Sequence, residues 1–292
     1  MTQRTVTLIA GPTASGKSKL ALKMAQEKNA VIVNTDSMQV YDILNILTAR
    51  PTKSDTMIVP HYLYGSVSPA LNYSVGQWLR DVEKLLSFLI TAQSIIFVGG
   101  TGLYFRALLE GFSEIPHIPD VFRQKWRRRL QEEGAESLYR QLLQVDAALS
   151  ERIVQQDSQR IIRALEVYDV TGQTLSWWQK KKTTSLIEKD CLEKILLIPP
   201  RQELYQRINK RFDNMVKQGV LEEVLAVRKL MLSPLLPAMK AIGLPELIAY
   251  LDGYLSFENA IETAKTQTRR YAKRQMTWFR NQLSGEWKII AA

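Results

Sequence analysis

The chain has 292 residues, 46% hydrophobic and 23% charged, with a formal net charge of +10. That apolar share excludes a disordered chain and suffices for one large domain or two modest ones, while the single cysteine, Cys191, excludes an internal disulfide framework and a multi-cysteine zinc site. The excess of lysine and arginine points to a polyanionic partner, and no apolar run reaches the length of a membrane span. Met1-Thr2-Gln3-Arg4 runs straight into the first strand pattern, so no leader is expected and a cytoplasmic protein is.

Residues 5–10 read as a buried strand and 17–28 as a helix. Between them stands Gly11-Pro12-Thr13-Ala14-Ser15-Gly16-Lys17-Ser18, which fits G-x-x-x-x-G-K-[ST] in its strand–loop–helix setting. The glycines let backbone N–H groups turn in around a phosphate, and the helix start adds its positive end. Lys17 supplies a point charge, and the Ser18 hydroxyl is a ligand for Mg²⁺.

The second strand, 30–34, ends in Thr35-Asp36-Ser37-Met38-Gln39. Ligands of open α/β sheets bind beyond the carboxyl ends of the strands, so Asp36 is expected beside the phosphate loop, as metal ligand or general base. A helix follows at 75–89 and a third strand at 94–98, which runs into Gly99-Gly100-Thr101-Gly102 and a helix at 102–109. Glycines and a threonine stand where a nucleotide hydrolase often carries an acid. This argues for close backbone approach rather than hydrolysis.

The texture changes near Gly111, and 112–120, with two prolines, reads as a linker. From 121 to 179 the pattern is helical and charged, with a basic cluster at 123–129 and the pair Trp177-Trp178, expected to anchor this insertion against the core. A strand at 194–198 resumes the core; helices at 202–217, 221–231 and 257–280 and a late strand at 287–290 complete it. Residues 265–280 hold six basic side chains and no acidic one. The expected architecture is α/β: a P-loop NTPase-like core with a parallel sheet, from 1–112 and 193–292, and a mostly helical insertion domain over 113–192.

These stretches resemble the tRNA dimethylallyltransferase (isopentenyl-pyrophosphate transferase) family. The likeness rests on the phosphate loop, on Asp36-Ser37-Met38-Gln39-Val40-Tyr41 and on Val98-Gly99-Gly100-Thr101-Gly102-Leu103-Tyr104. It continues through Asp157-Ser158-Gln159-Arg160-Ile161-Ile162-Arg163-Ala164-Leu165-Glu166-Val167-Tyr168, Ala241-Ile242-Gly243 and Thr268-Arg269-Arg270-Tyr271-Ala272-Lys273-Arg274-Gln275-Met276-Thr277-Trp278-Phe279-Arg280. The resemblance implies transfer of a dimethylallyl group from its diphosphate to the exocyclic N6 amine of the adenosine just 3′ of the anticodon.

On that reading Gly11, Thr13, Ala14, Ser15, Gly16, Lys17 and Ser18 hold the diphosphate, with Mg²⁺ on Ser18, and Arg201 adds a contact. Asp36 matches the family's base and Thr101 the residue that positions the substrates. Asp36, Ser37, Met38, Gln39 and Thr101 face the flipped adenosine, and Arg123, Gln159, Arg160, Ile161, Ile162 and Arg163 touch the tRNA from the insertion. The implied partners are a tRNA anticodon stem-loop and dimethylallyl diphosphate, with no membrane and a monomeric enzyme. Transfer to free adenine nucleotides, a small-molecule kinase on the same loop and an RNA-binding regulatory NTPase are the competing readings. The run Asp42-Ile43-Leu44-Asn45-Ile46-Leu47-Thr48-Ala49-Arg50-Pro51 departs from the family pattern, lacking two glycines, so 42–50 stands outside the expected site.

Overall fold

The computed structural model describes residues 5–89, 94–181, 183–187, 192–283 and 285–291; Cys191 lies outside them. One sheet organises the core. Its strands are β1 (Val6–Ala10), β2 (Val31–Asn34), β3 (His61–Tyr62), β4 (Ile95–Gly99), β5 (Leu192–Leu197) and β6 (Lys288–Ile290), in the order β3-β2-β4-β1-β5-β6. Every pairing is parallel. All residues of β1, β2 and β4 are buried, because helices cover both faces of such a sheet. Continuous apolar runs rather than alternation are the result.

The helices are α1 (Lys17–Lys28), α2 (Lys53–Ile58), α3 (Val75–Phe88), α4 (Gly102–Glu110), α5 (Asp120–Val145), α6 (Ala147–Ser150), α7 (Ser158–Thr171), α8 (Leu175–Lys180), α9 (Arg201–Lys217), α10 (Val220–Lys229), α11 (Leu244–Leu251) and α12 (Phe257–Gln282). Among the described residues, β3, α2 and α11 escape the sequence reading. β3 has two residues, too few to show a period. α2 buries none of its residues and so has no apolar stripe, although Thr52 and Asp55 close a capping box at its start. α11 opens with a proline in its first turn. His61 has its Nδ1 2.7 Å from the Val59 carbonyl.

The chain divides into two compact units, Met1–Ala107 with Ile187–Ala292, and Leu108–Leu186. In the first, Ile9, Ile32, Ile96 and Ile195 pack against Ala21 and Ala25 of α1. A separate cluster joins Val40, Leu44 and Leu47 to Phe212, Val224, Leu247 and Ala264, drawing α9 to α12 together with the segment after β2. The second unit is helical, with Trp126, Leu138, Leu142, Ile161, Leu165 and Val167 at its centre. Trp178 packs on this unit's own cluster, and its Nε1 donates to Thr171 Oγ1 at 3.2 Å. Among the described residues no helix is long and apolar enough to cross a membrane.

Candidate active site

The strand register sets the site's position. Ala10, at the carboxyl end of β1, pairs with Gly99 on one side and Leu196 on the other, so the loops that leave β1, β4 and β5 share one sheet edge. Gly16 sits at φ +89°, a conformation open to glycine and strained for other residues, and caps α1. A Cβ on Gly11 would stand 2.7 Å from Ser15 Oγ and 3.1 Å from the Leu197 carbonyl, so the loop packs tightly on β5. The first turn of α1 carries no acidic residue, which leaves its positive end available to an anion. Lys17 curls back to donate to the Pro12 carbonyl at 3.2 Å. Burial pushes its ammonium down to about 8; Asp36 opposes that fall and Arg211 adds to it. Ser18 is exposed, and the Ser15 hydroxyl is buried without a hydrogen-bond partner.

Asp36 is held by a buried asparagine. Asn34 Oδ1 accepts the Asp36 N–H at 2.8 Å, and Asn34 Nδ2 donates to the carbonyls of Asp36 and Leu63, both at 3.0 Å. Asp36 Oδ1 accepts the Met38 N–H at 2.9 Å, which turns the chain after β2. Oδ2 faces Gly100, 3.4 Å from where a Cβ would stand. A side chain on Gly99 would overlap the Thr35 carbonyl, and one on Gly100 would overlap the Gln275 amide. Thr101 Oγ1 accepts the Ser37 N–H at 2.9 Å and donates to Ser37 Oγ at 3.2 Å, locking this loop to the one after β2. The structure thus brings together the phosphate loop, Asp36, Ser37 and Thr101. Ser37 and Met38 are half-buried, and Gln39 donates to the carbonyls of Thr48 at 2.8 Å and Ala49 at 3.0 Å.

Two further residues belong here that the sequence reading leaves without a role. Gln275 is 6% exposed; its Oε1 accepts the Thr13 N–H at 2.9 Å and its Nε2 donates to the Gly100 carbonyl at 2.8 Å. It therefore bridges the two glycine loops. Arg211 donates to Thr13 Oγ1 at 3.5 Å and to the Thr48 carbonyl at 3.3 Å. Burial lowers the pKa of its guanidinium, and Asp36 opposes that. Both lie on buried helix faces: Gln275 beside Ala272, Met276 and Phe279, and Arg211 beside Ile208 and Phe212. A polar residue on an apolar stripe was the available signal. Burial, with the charge of Asp36 adding to it, raises the pKa of Tyr64, Tyr104 and Tyr271. One carboxylate thus shares its surroundings with two cations and three phenols. Arg201 opens α9 but is exposed, donates to Tyr205 Oη at 3.0 Å and lies over that ring.

Residues 39–282 match the family model described as IPP transferase, and residues 4–60 match one described as isopentenyl transferase. The chain belongs to the IPP transferase family. A tRNA dimethylallyltransferase of Bartonella quintana (strain Toulouse) is 75% identical over 292 residues, with 100% of this chain and 99% of the relative covered. One from Chelativorans sp. (strain BNC1) is 51% identical over 283 residues, covering 97% of each chain. The full-length tRNA isopentenylpyrophosphate transferase of Bacillus halodurans has a TM-score of 0.69 at 32% identity, covering 98% of this chain and 90% of its own. A eukaryotic dimethylallyltransferase acting on tRNA has a TM-score of 0.78 at 26% identity, covering 99% and 74%. The fold is the P-loop NTPase-like α/β fold of IPP transferases.

The basic surfaces of the chain differ in how their charges are held. In the helical unit, Glu166 is buried with its Oε2 3.7 Å from Arg163, and Arg123 and Arg127 lie within its electrostatic reach. Burial raises the Glu166 pKa against the pull of these arginines, Arg163 foremost. Arg123 is 3.8 Å from Asp120 and Arg160 is 3.3 Å from Asp157, while Gln159 is exposed. Ile161 and Ile162 face the other way, into this unit's apolar core, so the polar surface of the run comes from Gln159, Arg160 and Arg163. On α12, Lys265 is tied to Asp213 at 2.7 Å and Arg269 to Asn209 at 2.6 Å. Arg270, Lys273 and Arg274 line an open groove with Thr277 and Trp278.

Among the described residues no three His, Cys, Asp or Glu side chains gather as a metal cluster. Mg²⁺ suits sites with one or two protein oxygens completed by substrate phosphates and water. The exposed Ser18 hydroxyl at the mouth of the phosphate loop fits that donor set.

Proposed function

We propose that this chain transfers the dimethylallyl group of dimethylallyl diphosphate to the exocyclic N6 amine of the adenosine 3′-adjacent to the tRNA anticodon, releasing diphosphate. The reading is carried by one juxtaposition: Asp36 faces Gly100 across the sheet edge, within electrostatic reach of Lys17 and Arg211. A base thus stands beside an anion cradle. In the reaction a C–N bond forms, the allylic C–O bond breaks with its electron pair leaving on the diphosphate, and one proton leaves N6 for the Asp36 carboxylate. Lys17, Arg211 and the loop N–H groups face the charge that grows on the leaving group. Ser18 would hold a Mg²⁺ ion, which would supply further positive charge to the leaving group.

The N6 lone pair is conjugated with the ring, so proton removal during attack matters, typically by about 10²–10⁴-fold. Thr101 and Ser37 share a hydroxyl–hydroxyl bond that fixes the loop beside Asp36. Extruding a loop base costs only a few kcal/mol. Arg123, Arg127, Arg128, Arg160 and Arg163 of the helical unit supply phosphate contacts, as do the groove residues of α12, and this favours tRNA over a free nucleotide as acceptor. The same reading puts the enzyme in the cytoplasm, acting as a monomer, with Arg201 free to swing from Tyr205 toward the diphosphate.

The test is incubation with undermodified tRNA and radiolabelled dimethylallyl diphosphate. Label in the anticodon loop of the tRNA is expected. Label appearing only in added AMP would move the acceptor to a free nucleotide, and ATP turnover without transfer would point to a kinase or NTPase.

A further inference from the structure

The segment after Tyr41 is held by a carboxylate from another element. Glu223 of α10 accepts three successive backbone N–H groups: Oε2 takes Asn45 at 2.8 Å and Ile46 at 2.6 Å, and Oε1 takes Leu47 at 2.9 Å. Consecutive N–H groups turned to one side form a concavity for an anion, and here the protein's own side chain fills it. Charged acceptors make the stronger hydrogen bonds. Leu44 and Leu47 are buried in the cluster that includes Phe212 and Val224, so both faces of the turn are fixed. Arg50 closes it from the far side, donating to the carbonyls of Tyr41 at 3.2 Å and Asp42 at 2.8 Å where Gly65 leaves room.

The carbonyls that follow this clip serve the site. Thr48 O accepts from Arg211 and from Gln39, and Ala49 O accepts from Gln39 as well. Arg211 in turn reaches Thr13 of the phosphate loop. An unbroken run of contacts thus leads from Glu223 through the 45–47 backbone and the Thr48 carbonyl to the guanidinium beside the diphosphate cradle. We propose that Glu223 is a positioning residue for the donor site, holding the 42–50 segment so that Thr48 orients Arg211 toward the diphosphate. This inference rests on the transfer reaction proposed above.

The test compares the unmodified enzyme with Glu223→Gln and, as a control, Glu222→Gln on the exposed side of the same helix. Glutamine offers one acceptor oxygen and turns an N–H₂ group toward a backbone donor, so the clip is broken at nearly constant volume. The expected result is a rise of about threefold to tenfold in KM for dimethylallyl diphosphate, with kcat within about twofold and Glu222→Gln unchanged. The dissociation constant of inorganic diphosphate, read by calorimetry, should rise in parallel. In the unmodified protein, the Asn45, Ile46 and Leu47 amides should be protected from hydrogen exchange; this measurement stands even if the variant does not fold.

A folded Glu223→Gln enzyme with the original KM and diphosphate affinity overturns the proposal. So does a fall in kcat at constant KM, the sign of lost active protein alone, and so do unprotected amides at 45–47. Absence of any prenyl transfer by the unmodified enzyme would instead refute the reaction, leaving the diphosphate and exchange measurements to judge Glu223.

Discussion

Replacing Lys17 with methionine should make the free protein more stable while removing its hold on diphosphate. The ammonium is pushed from 10.5 to about 8 by burial, with Asp36 compensating only in part. A depression of that size corresponds to about 3 kcal/mol of destabilisation at neutral pH. The side chain keeps some solvent exposure, and the substitution forfeits the hydrogen bond to Pro12, so the net gain is about 1–2 kcal/mol. In a protein of this size that raises Tm by about 2–3 °C.

The sign follows from proton counting. The folded-state pKa lies below the unfolded one, so between about pH 8 and 10.5 the unfolded chain binds more protons and the unmodified protein recovers stability as pH rises. Its deficit relative to Lys17→Met is full at pH 7 and nearly gone at pH 10.5. Groups common to both proteins cancel in this difference. Inorganic diphosphate at a hundred times its Kd should stabilise the unmodified protein by about 2.7 kcal/mol and the variant far less. Calorimetry at pH 7 and pH 10, with and without diphosphate, reads all of these quantities. A variant less stable than its parent at pH 7, a stability difference independent of pH, or an undiminished response to diphosphate would refute the reasoning.

Asp36→Asn retains the acceptor for the Met38 N–H but cannot take a proton; turnover should fall by about 10²–10⁴-fold with tRNA affinity kept, and an unimpaired single-turnover rate would remove Asp36 as base. Gly99→Ala would force a methyl into the Thr35 carbonyl, and a loss of about 2–4 kcal/mol is expected in denaturant titration; an unchanged midpoint would show the strands can part at no cost. Reversing Arg127 and Arg128 to glutamate should weaken tRNA binding and flatten its log–log salt dependence by about one or two units, because each phosphate contact releases a counterion. An identical salt slope would mean that this face stays in solvent.

Local patterns exposed the sheet edge that carries the candidate site. The phosphate loop, the glycine pair after β4 and the acid after β2 each depend on residues adjacent in the chain, and a parallel sheet aligns such strand ends automatically. The helical stretch at 121–179 was visible because it is rich in charged helix formers and offers no strand candidate. Harder to see were elements without a repeating stripe, such as two-residue β3 and wholly unburied α2.

The chain by itself determined the glycine-rich loop and the acid at the neighbouring strand end, since glycine freedom, strand ends and the helix start are short-range consequences of residue type. Only tertiary packing decided what steadies them. Gln275 meets Thr13 across 262 positions, Arg211 meets the same residue across 198, and Glu223 reaches Ile46 across 177. No local preference encodes such distances. They arise when the cluster around Phe212, Val224 and Ala264 buries its apolar faces and carries the polar side chains of α9, α10 and α12 to the sheet edge.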